Sequence, residues 1–220
     1  MKKKRRITTD MPRMKKADPF YRDQVKRILD LLIAIPVFIV ALIPMIIIAI
    51  AVKIDSPGPV LFKQERLGKD GKVFLMLKFR SMCVGAEHKG SGVYSGKGDT
   101  RVTKVGKIIR ATSLDELPQL INVLRGDMSL IGPRPPLTYH PWPIEEYTKE
   151  QLHMFDVRPR FSGWAQIHGR KDVEWNHRIE LNVWYVKHVR FSLDLRIFLT
   201  TISKFLLNKD NENKGETLKK

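Results

Sequence analysis

ILDLLIAIPVFIVALIPMIIIAIAV, running from Ile28 to Val52, is apolar throughout except for Asp30. A helix needs about 20 such residues to cross a bilayer's hydrocarbon core, so the length permits a full crossing. The stretch is too long, begins too late and lacks the small-residue cleavage pattern of a removable signal peptide. Two features complicate a simple span. Both flanks are basic: Lys26 and Arg27 precede it, after an N-terminal MKKKRR run, and Lys53, Lys63, Arg66 and Lys69 follow it. The charge bias that orients spanning helices therefore gives no direction. Pro36 and Pro44 lie inside the stretch, and each removes a backbone donor and crowds the preceding turn, so kinks are expected. A re-entrant helix that enters and leaves by the same face, with both ends cytoplasmic, satisfies both observations. A kinked single-pass anchor is the alternative that the residues leave open.

Outward from this segment, the chain is strongly basic. Its 220 residues include 40 Lys and Arg against 23 Asp and Glu, a formal net charge of +17. Such an excess points to a polyanionic partner: nucleic acid, anionic membrane lipids or phosphorylated substrates. No recognised nucleic-acid module is present. The 43% hydrophobic content suffices for one core. The single cysteine, Cys83, cannot form an internal disulfide, which fits a reducing compartment, and it reads as an ordinary, partly buried residue.

Residues 1–20 are basic and carry no apolar period, as expected of a disordered arm near anionic headgroups. DSPGP, Asp55 to Pro59, is a turn that ends the apolar segment. VLFKQERLGKDGKVFLMLKFRSM then reads as a β-hairpin turning at Asp70-Gly71. Val73, Leu75, Leu77 and Phe79 share one face of its second strand, and Phe74, Met76, Lys78 and Arg80 the other. The glycine-rich VGAEHKGSGVYSGKGDTR is not a phosphate-binding P-loop. Gly92 to Lys97 has one residue too few between its glycines, and Gly98 stands where Ser or Thr belongs, so a surface loop is expected. Residues 105–124 read as helix, broken near Ala111 to Ser113. GDMSLIGPRPP reads as a turn and a rigid extended segment, IEEYTKEQLHMFDV as a helix, and RPRFSGWAQIHGR as a loop or irregular strand. VEWNHRIELNVWYVKH and LDLRIFLTTISKFLL are expected helices. In the second, Leu195, Phe198, Leu199, Ile202, Phe205 and Leu206 recur at helical spacing. That stripe suits a core or docking face, or a face resting on a membrane surface.

TSLDELPQL, beginning at Thr112, places Asp115 beside Glu116. Ser113 with Glu116 has the spacing of a capping box, and acids favour a helix N-terminus, so a structural role accounts for the pair. Around it in sequence stand Lys78, Arg80, Arg110 and Arg134. Arg134 is enclosed by Pro133, Pro135 and Pro136, and a guanidinium aimed by rigid backbone suits phosphate oxygens. The histidines 88, 140, 153, 168, 177 and 188 show no zinc-ligand spacing and read as surface or structural.

SPGPVLFKQERLG, KFRSM, TSLDELPQLINVLRGDMSLIGPRP, GWAQIHGR and WYVKH occur in this order. Together they resemble the motif series of the bacterial sugar transferases, the monotopic phosphoglycosyl transferases that act on polyprenyl phosphate. The resemblance runs from about Tyr21 to Leu206. It implies an α/β (α+β) architecture: a re-entrant membrane helix at 21–54 and a small cytoplasmic catalytic domain at 55–207 with a β-hairpin and interfacial amphipathic helices. The polar composition of 208–220, outside the resemblance, reads as a disordered tail. The resemblance also implies a bacterial inner-membrane protein whose partners are a UDP-sugar, undecaprenyl phosphate and anionic lipids, not nucleic acid. A homo-oligomer is compatible with it. The implied reaction transfers a sugar 1-phosphate to the lipid and releases UMP, through a covalent intermediate on Asp115. Glu116 would ligate Mg²⁺, and Lys78, Arg110 and Arg134 would bind substrate phosphates. Arg80 matches more loosely, and a membrane-facing role is open to it. The family's helix break is a Ser-Pro pair; Ile43-Pro44 stands near that position here, with Pro36 in addition. Arg160-Phe161-Ser162 replaces a common Gly-Ile-Thr, and Asn182 a common Asp. These departures bear on the identity of the sugar. A non-enzymatic basic scaffold at the membrane surface, or a nucleic-acid binder, is the competing reading, and it would need no Asp-Glu pair.

Overall fold

The computed structural model describes residues 17–88, 98–168 and 175–206. Residues 1–16 of the expected basic arm (1–20), the centre of the glycine-rich loop (89–97), residues 169–174 and the polar tail (208–220) with Leu207 lie outside the described residues. The last four residues of the arm are ordered instead: the Ala17 and Asp18 N–H groups donate to the Lys187 and Val189 carbonyls, and residues 19–20 are helical.

A π-helical turn, Tyr21–Val25, leads without interruption into α1, Lys26–Asp55. At 1.5 Å per residue its 30 residues extend about 45 Å. Its most apolar window has a mean hydropathy of 3.1, so the helix is long and apolar enough to cross a membrane. The helix continues through Pro36 and Pro44, both of which lie on its exposed side. The buried positions Asp30, Ala34, Ala41, Ile48 and Val52 form a stripe at helical spacing. Ala34 packs with Met76, Val123 and Met128, and Ile48 and Val52 pack with Phe79 and Ile109. Both halves of α1 therefore lie against the same folded body. The opposite face exposes Leu32, Val40, Ile43, Ile47 and Ile54, among others.

The N-terminal half is fastened by buried polar groups. Lys26 Nζ lies 2.7 Å from Asp194 Oδ2, and the hydroxyls of Tyr21 and Tyr185 donate to the same carboxylate at 2.8 and 2.7 Å. Ser129 Oγ donates to Asp30 Oδ2 at 2.7 Å. Buried charges are tolerated only when paired in this way.

The hairpin forms as expected. β1, Leu61–Leu67, pairs antiparallel with β2, Val73–Phe79, in the register Leu67↔Val73 to Leu61↔Phe79. Its turn holds Asp70 and Gly71 at φ 57° and 69°, where glycine is unstrained. The face shared by Val73, Leu75, Leu77 and Phe79 is covered only in part. Leu77 and Phe79 are buried, but Val73 and Leu75 are exposed, because α1 covers Phe79 at the strand's exit rather than the turn end. Met76, on the other face, is buried against α1 and its neighbours.

α2, Lys104–Ala111, and α3, Gln119–Arg125, flank the expected helix break. β3, Ser129–Ile131, pairs parallel with β4, Arg160–Ser162, so the supposed irregular segment contains a strand. The single helix expected near Ile144 is instead a 3₁₀ turn (Ile144–Glu146), α4 (Lys149–Leu152) and a second 3₁₀ turn (His153–Phe155). The chain restarts there because Thr148 and Gln151 form a capping box. α5, Trp164–Ile167, is short. α6, Trp175–His188, and α7, Phe191–Leu206, supply the main core with Tyr185, Leu193 and Ile197, together with Val189 in the link between them. On α7 the stripe Leu195, Leu199 and Ile202 is exposed while Leu193 and Ile197 are buried. Phe198, in the same stripe, is partly buried against the core, so the stripe is core at that point and outward-facing at the other three.

Candidate active site

Between α2 and α3 the chain reverses in a few residues. Thr103 starts α2 by accepting a hydrogen bond from the Gly106 N–H, and Asp55 Oδ2 accepts from the Val105 N–H at 2.9 Å. Gly106 has no room for a side chain, since a Cβ would lie 2.0 Å from the Ser81 carbonyl oxygen. After α2, Ser113 takes the left-handed conformation, at φ 57°, and a 3₁₀ turn covers Leu114–Glu116. Pro118, with φ fixed near the helical value, opens α3. Gly126, at φ 92°, closes it. The expected capping box is absent: Ser113 caps nothing through its side chain, because its left-handed backbone takes it off the helix start. Glu116 turns instead toward the hairpin, where Lys78 Nζ lies 2.7 Å from its Oε1.

Asn122 holds this arrangement in register. It is fully buried, its Oδ1 accepts from the Leu77 N–H at 3.0 Å, and its Nδ2 donates to the Leu75 carbonyl at 2.8 Å. The helix that follows the acidic pair is thereby clipped to the free edge of β2, beside Lys78. On the other side of the hairpin, the Leu67 N–H donates to the Pro136 carbonyl at 3.0 Å, and Arg66 Nη1 to the Pro135 carbonyl at 3.1 Å. Pro133, Pro135 and Pro136 are buried while Arg134 between them is exposed.

Asp115, Glu116, Lys78, Arg110 and Arg134 all line one cavity of about 780 Å³. Every site residue expected from the sequence is thus gathered in one place. Burial pushes the Asp115 carboxyl up to about 6; Glu116 adds to the rise, and Lys78 and Arg110 oppose it. Burial acts upward on Glu116 too, but Lys78, Arg134 and Arg160 outweigh it and hold that carboxyl well below the usual range. Two adjacent acids thus have separated affinities for protons, a common condition at functional sites.

Arg80 is corrected. It is buried, and its guanidinium donates to the carbonyls of Val52, Ser56 and Pro57. It caps the C-terminal end of α1, and it also lies on the wall of the same cavity. Gly58, at φ 123°, makes room for it, since a Cβ there would stand 2.2 Å from Nη1. Cys83 is exposed, not partly buried. Of the departures from the family pattern, Arg160 and Phe161 line the cavity, Ser162 bonds Thr201, and Asn182 is buried within α6. Arg160 donates to Gln166 Oε1 and to its neighbour's carbonyl. His140, read as surface or structural, is a wall of the same cavity, as are Trp175 and Arg178. Their sequence neighbours gave no signal of this, because the cavity joins segments far apart in the chain.

Among the described residues no group of three or more His, Cys, Asp or Glu could hold a metal. Glu116, with Asp115 beside it and one oxygen paired to Lys78, suits an ion whose shell is completed by substrate phosphates and water. The arrangement is one acid raised toward neutrality, one held ionised, and several cations around an open cavity. It can supply a carboxylate nucleophile and neutralise a polyphosphate.

Residues 21–208 match the family model described as bacterial sugar transferase. The chain is 40% identical over 185 residues to the uncharacterized sugar transferase EpsL of Bacillus subtilis (strain 168), spanning 84% of this chain and 89% of that protein. It is 42% identical over 191 residues to the UDP-N-acetylgalactosamine-undecaprenyl-phosphate N-acetylgalactosaminephosphotransferase of Aeromonas hydrophila, spanning 83% of this chain and 44% of that protein. It is 38% identical over 190 residues to the UDP-glucose:undecaprenyl-phosphate glucose-1-phosphate transferase of Escherichia coli (strain K12), spanning 84% and 41% respectively. The chain therefore covers less than half the length of the last two.

Proposed function

The chain belongs to the bacterial sugar transferase family, and on that premise we propose that it is an enzyme transferring a sugar 1-phosphate from a UDP-sugar to undecaprenyl phosphate, with release of UMP. The observation that carries this reading is the convergence of Asp115, Glu116, Lys78, Arg110 and Arg134 on one cavity. The names of the relatives supply the substrate classes, and they differ in the sugar carried.

In the proposed mechanism a carboxylate oxygen of Asp115 attacks the β-phosphorus of the donor. The bond from that phosphorus to the bridging oxygen breaks, and UMP departs with the electron pair. The product on the enzyme is a sugar-phosphoryl aspartate. A phosphate oxygen of the lipid then attacks the same phosphorus, the bond to Asp115 breaks, and the carboxylate is restored. Splitting the transfer lets two bulky anions use one site in turn. Attack by an anion on a diphosphate demands cations. Lys78 holds Glu116 and is in reach of the dyad, Arg110 lies at the end of α2, and Arg134 offers a two-pronged donor set. Arg160, which departs from the family pattern, adds a buried cation to the same cavity. Mg²⁺, when bound, would be held by Glu116 and would neutralise phosphate charge.

The same reading places the chain in one leaflet of the inner membrane with its folded domain on the cytoplasmic face. Both halves of α1 rest on that domain, while its other side and the α7 stripe offer apolar surface to lipid. Basic residues outside the cavity suit anionic headgroups. The test is direct: purified protein with undecaprenyl phosphate, Mg²⁺ and a panel of UDP-sugars should release UMP with at least one of them. Lipid-dependent UMP release from none would overturn the reading.

A further inference from the structure

The cavity that holds the acidic pair has a second chemical character elsewhere on its wall. Trp175 opens α6, and Arg178, three residues on, sets its guanidinium 4.4 Å from the centre of the indole. His140 meets the same ring edge-on, with centroids 4.9 Å apart and planes at 89°. All three line the cavity with Asp115 and Glu116. Arg178 is buried, while Trp175 is only half-buried. Among the described residues, none of the three is a member of a hydrophobic core cluster.

The elements that carry this group are distinct from those that carry the acids. α6 packs against α4, α5 and the His153–Phe155 turn, whereas the Leu114–Glu116 turn packs against α2 and β2. A nucleoside diphosphate sugar has a matching polarity. Its sugar is attached to the phosphorus that Asp115 attacks, so it must lie beside the acids. Its base is separated from that phosphorus by a second phosphate and a ribose, so it must lie farther along. A base also has what this cluster recognises: a flat π face for an indole and a guanidinium, and carbonyl oxygens at its rim that accept from Arg or His N–H groups.

We propose that His140, Trp175 and Arg178 form the subsite for the pyrimidine base of the donor nucleotide. The assignment rests on the UDP-sugar reading above. It divides the cavity between a cation-lined end that handles the diphosphate and an aromatic end that holds the base.

The experiment uses the full chain in nanodiscs, with UMP as the probe and binding followed by calorimetry. Trp175→Ala should weaken UMP by about ten-fold or more, the size expected for a lost base stack. Trp175→Phe should recover most of the loss. Ribose 5-phosphate, which lacks the base, should inhibit UMP release equally in wild type and variants. UMP bound equally by wild type and Trp175→Ala would overturn the subsite. Weakened UDP-sugar binding with unchanged UMP binding would place the ring against the sugar and overturn it as well. No UMP binding by wild type would overturn the donor reading, and the subsite with it. If Trp175→Ala fails to fold, His140→Ala is read on the same scale, with the same two results deciding.

Discussion

Lys78 Nζ and Glu116 Oε1 lie 2.7 Å apart, joining the second strand of the hairpin to the turn between two helices. The pair is partly shielded, with side-chain exposures of 20% and 31%. Lys78→Met leaves Glu116 without its partner in a cavity that disfavours charge. The variant should lose about 1–3 kcal/mol of stability, between the surface and buried cases. Its turnover should fall by about 100-fold or more, as for loss of a charge-stabilising group. Thermal melts and UMP release measure the two effects.

Arg134 has no such structural task. It is exposed between buried prolines, and among the described residues it makes no hydrogen bond or ion pair with protein. Arg134→Lys keeps the charge and loses the planar fork. Stability should change by less than about 0.5 kcal/mol, while UMP release should fall at least about ten-fold, one phosphate hydrogen bond's worth. Near-wild-type turnover would make Arg134 a plain surface charge.

Asp115 carries a sign that separates chemistry from helix capping. Its carboxyl is pushed up to about 6, first by burial and then by Glu116, against Lys78 and Arg110. Between the ordinary Asp value, about 3.9, and pH 6 the folded protein keeps a proton that the unfolded chain has released. Stability from this group therefore falls as pH rises through that window, and the cost is complete above it. Without divalent ions, Asp115→Asn should melt higher than wild type at pH 7.5, and the difference should vanish near pH 4. A carboxylate that merely favoured a helix dipole would give a lower melting temperature at pH 7.5. In wild type, kcat/KM should rise with pH as the Asp115 carboxyl loses its proton, because the nucleophile must be ionised.

Topology is tested from outside the cell. With Cys83→Ser as background, Pro19→Cys and Lys69→Cys flank α1 at exposed positions. An impermeant thiol reagent should label neither in intact cells and both in opened membranes. Labelling of one alone in intact cells would establish a spanning helix.

Much of the site was readable because its parts are local. The hairpin announces itself by alternation around Asp70-Gly71, the helix break by Ser113 and Pro118, and Arg134 by its prolines. Other parts were hidden by distance along the chain. β3 and β4 are three residues each, too short for a period to appear, and they become strands only by pairing with each other. Arg80 looks like a strand-end cation; that it caps α1 depends on where the Val52 and Ser56 carbonyls lie. Asn122 reads as one polar residue in a helix, and its grip on β2 belongs to the tertiary fold. The same holds for Lys26 and Asp194, which are 168 residues apart. The spacing of Ser113 and Glu116 suggested a cap and misled, because a left-handed residue changes where the next side chains point.

In the proposed mechanism Asp115 becomes covalently bound to the sugar phosphate. Purified wild-type chain is given Mg²⁺ and a UDP-sugar that supports turnover, with no lipid acceptor, and is then digested for mass spectrometry. UMP should be released, and the peptide containing Asp115 should gain the mass of one sugar phosphate, which undecaprenyl phosphate then discharges. Turnover upon addition of lipid, with no adduct on Asp115 beforehand, would contradict this mechanism and point to direct transfer between the two substrates.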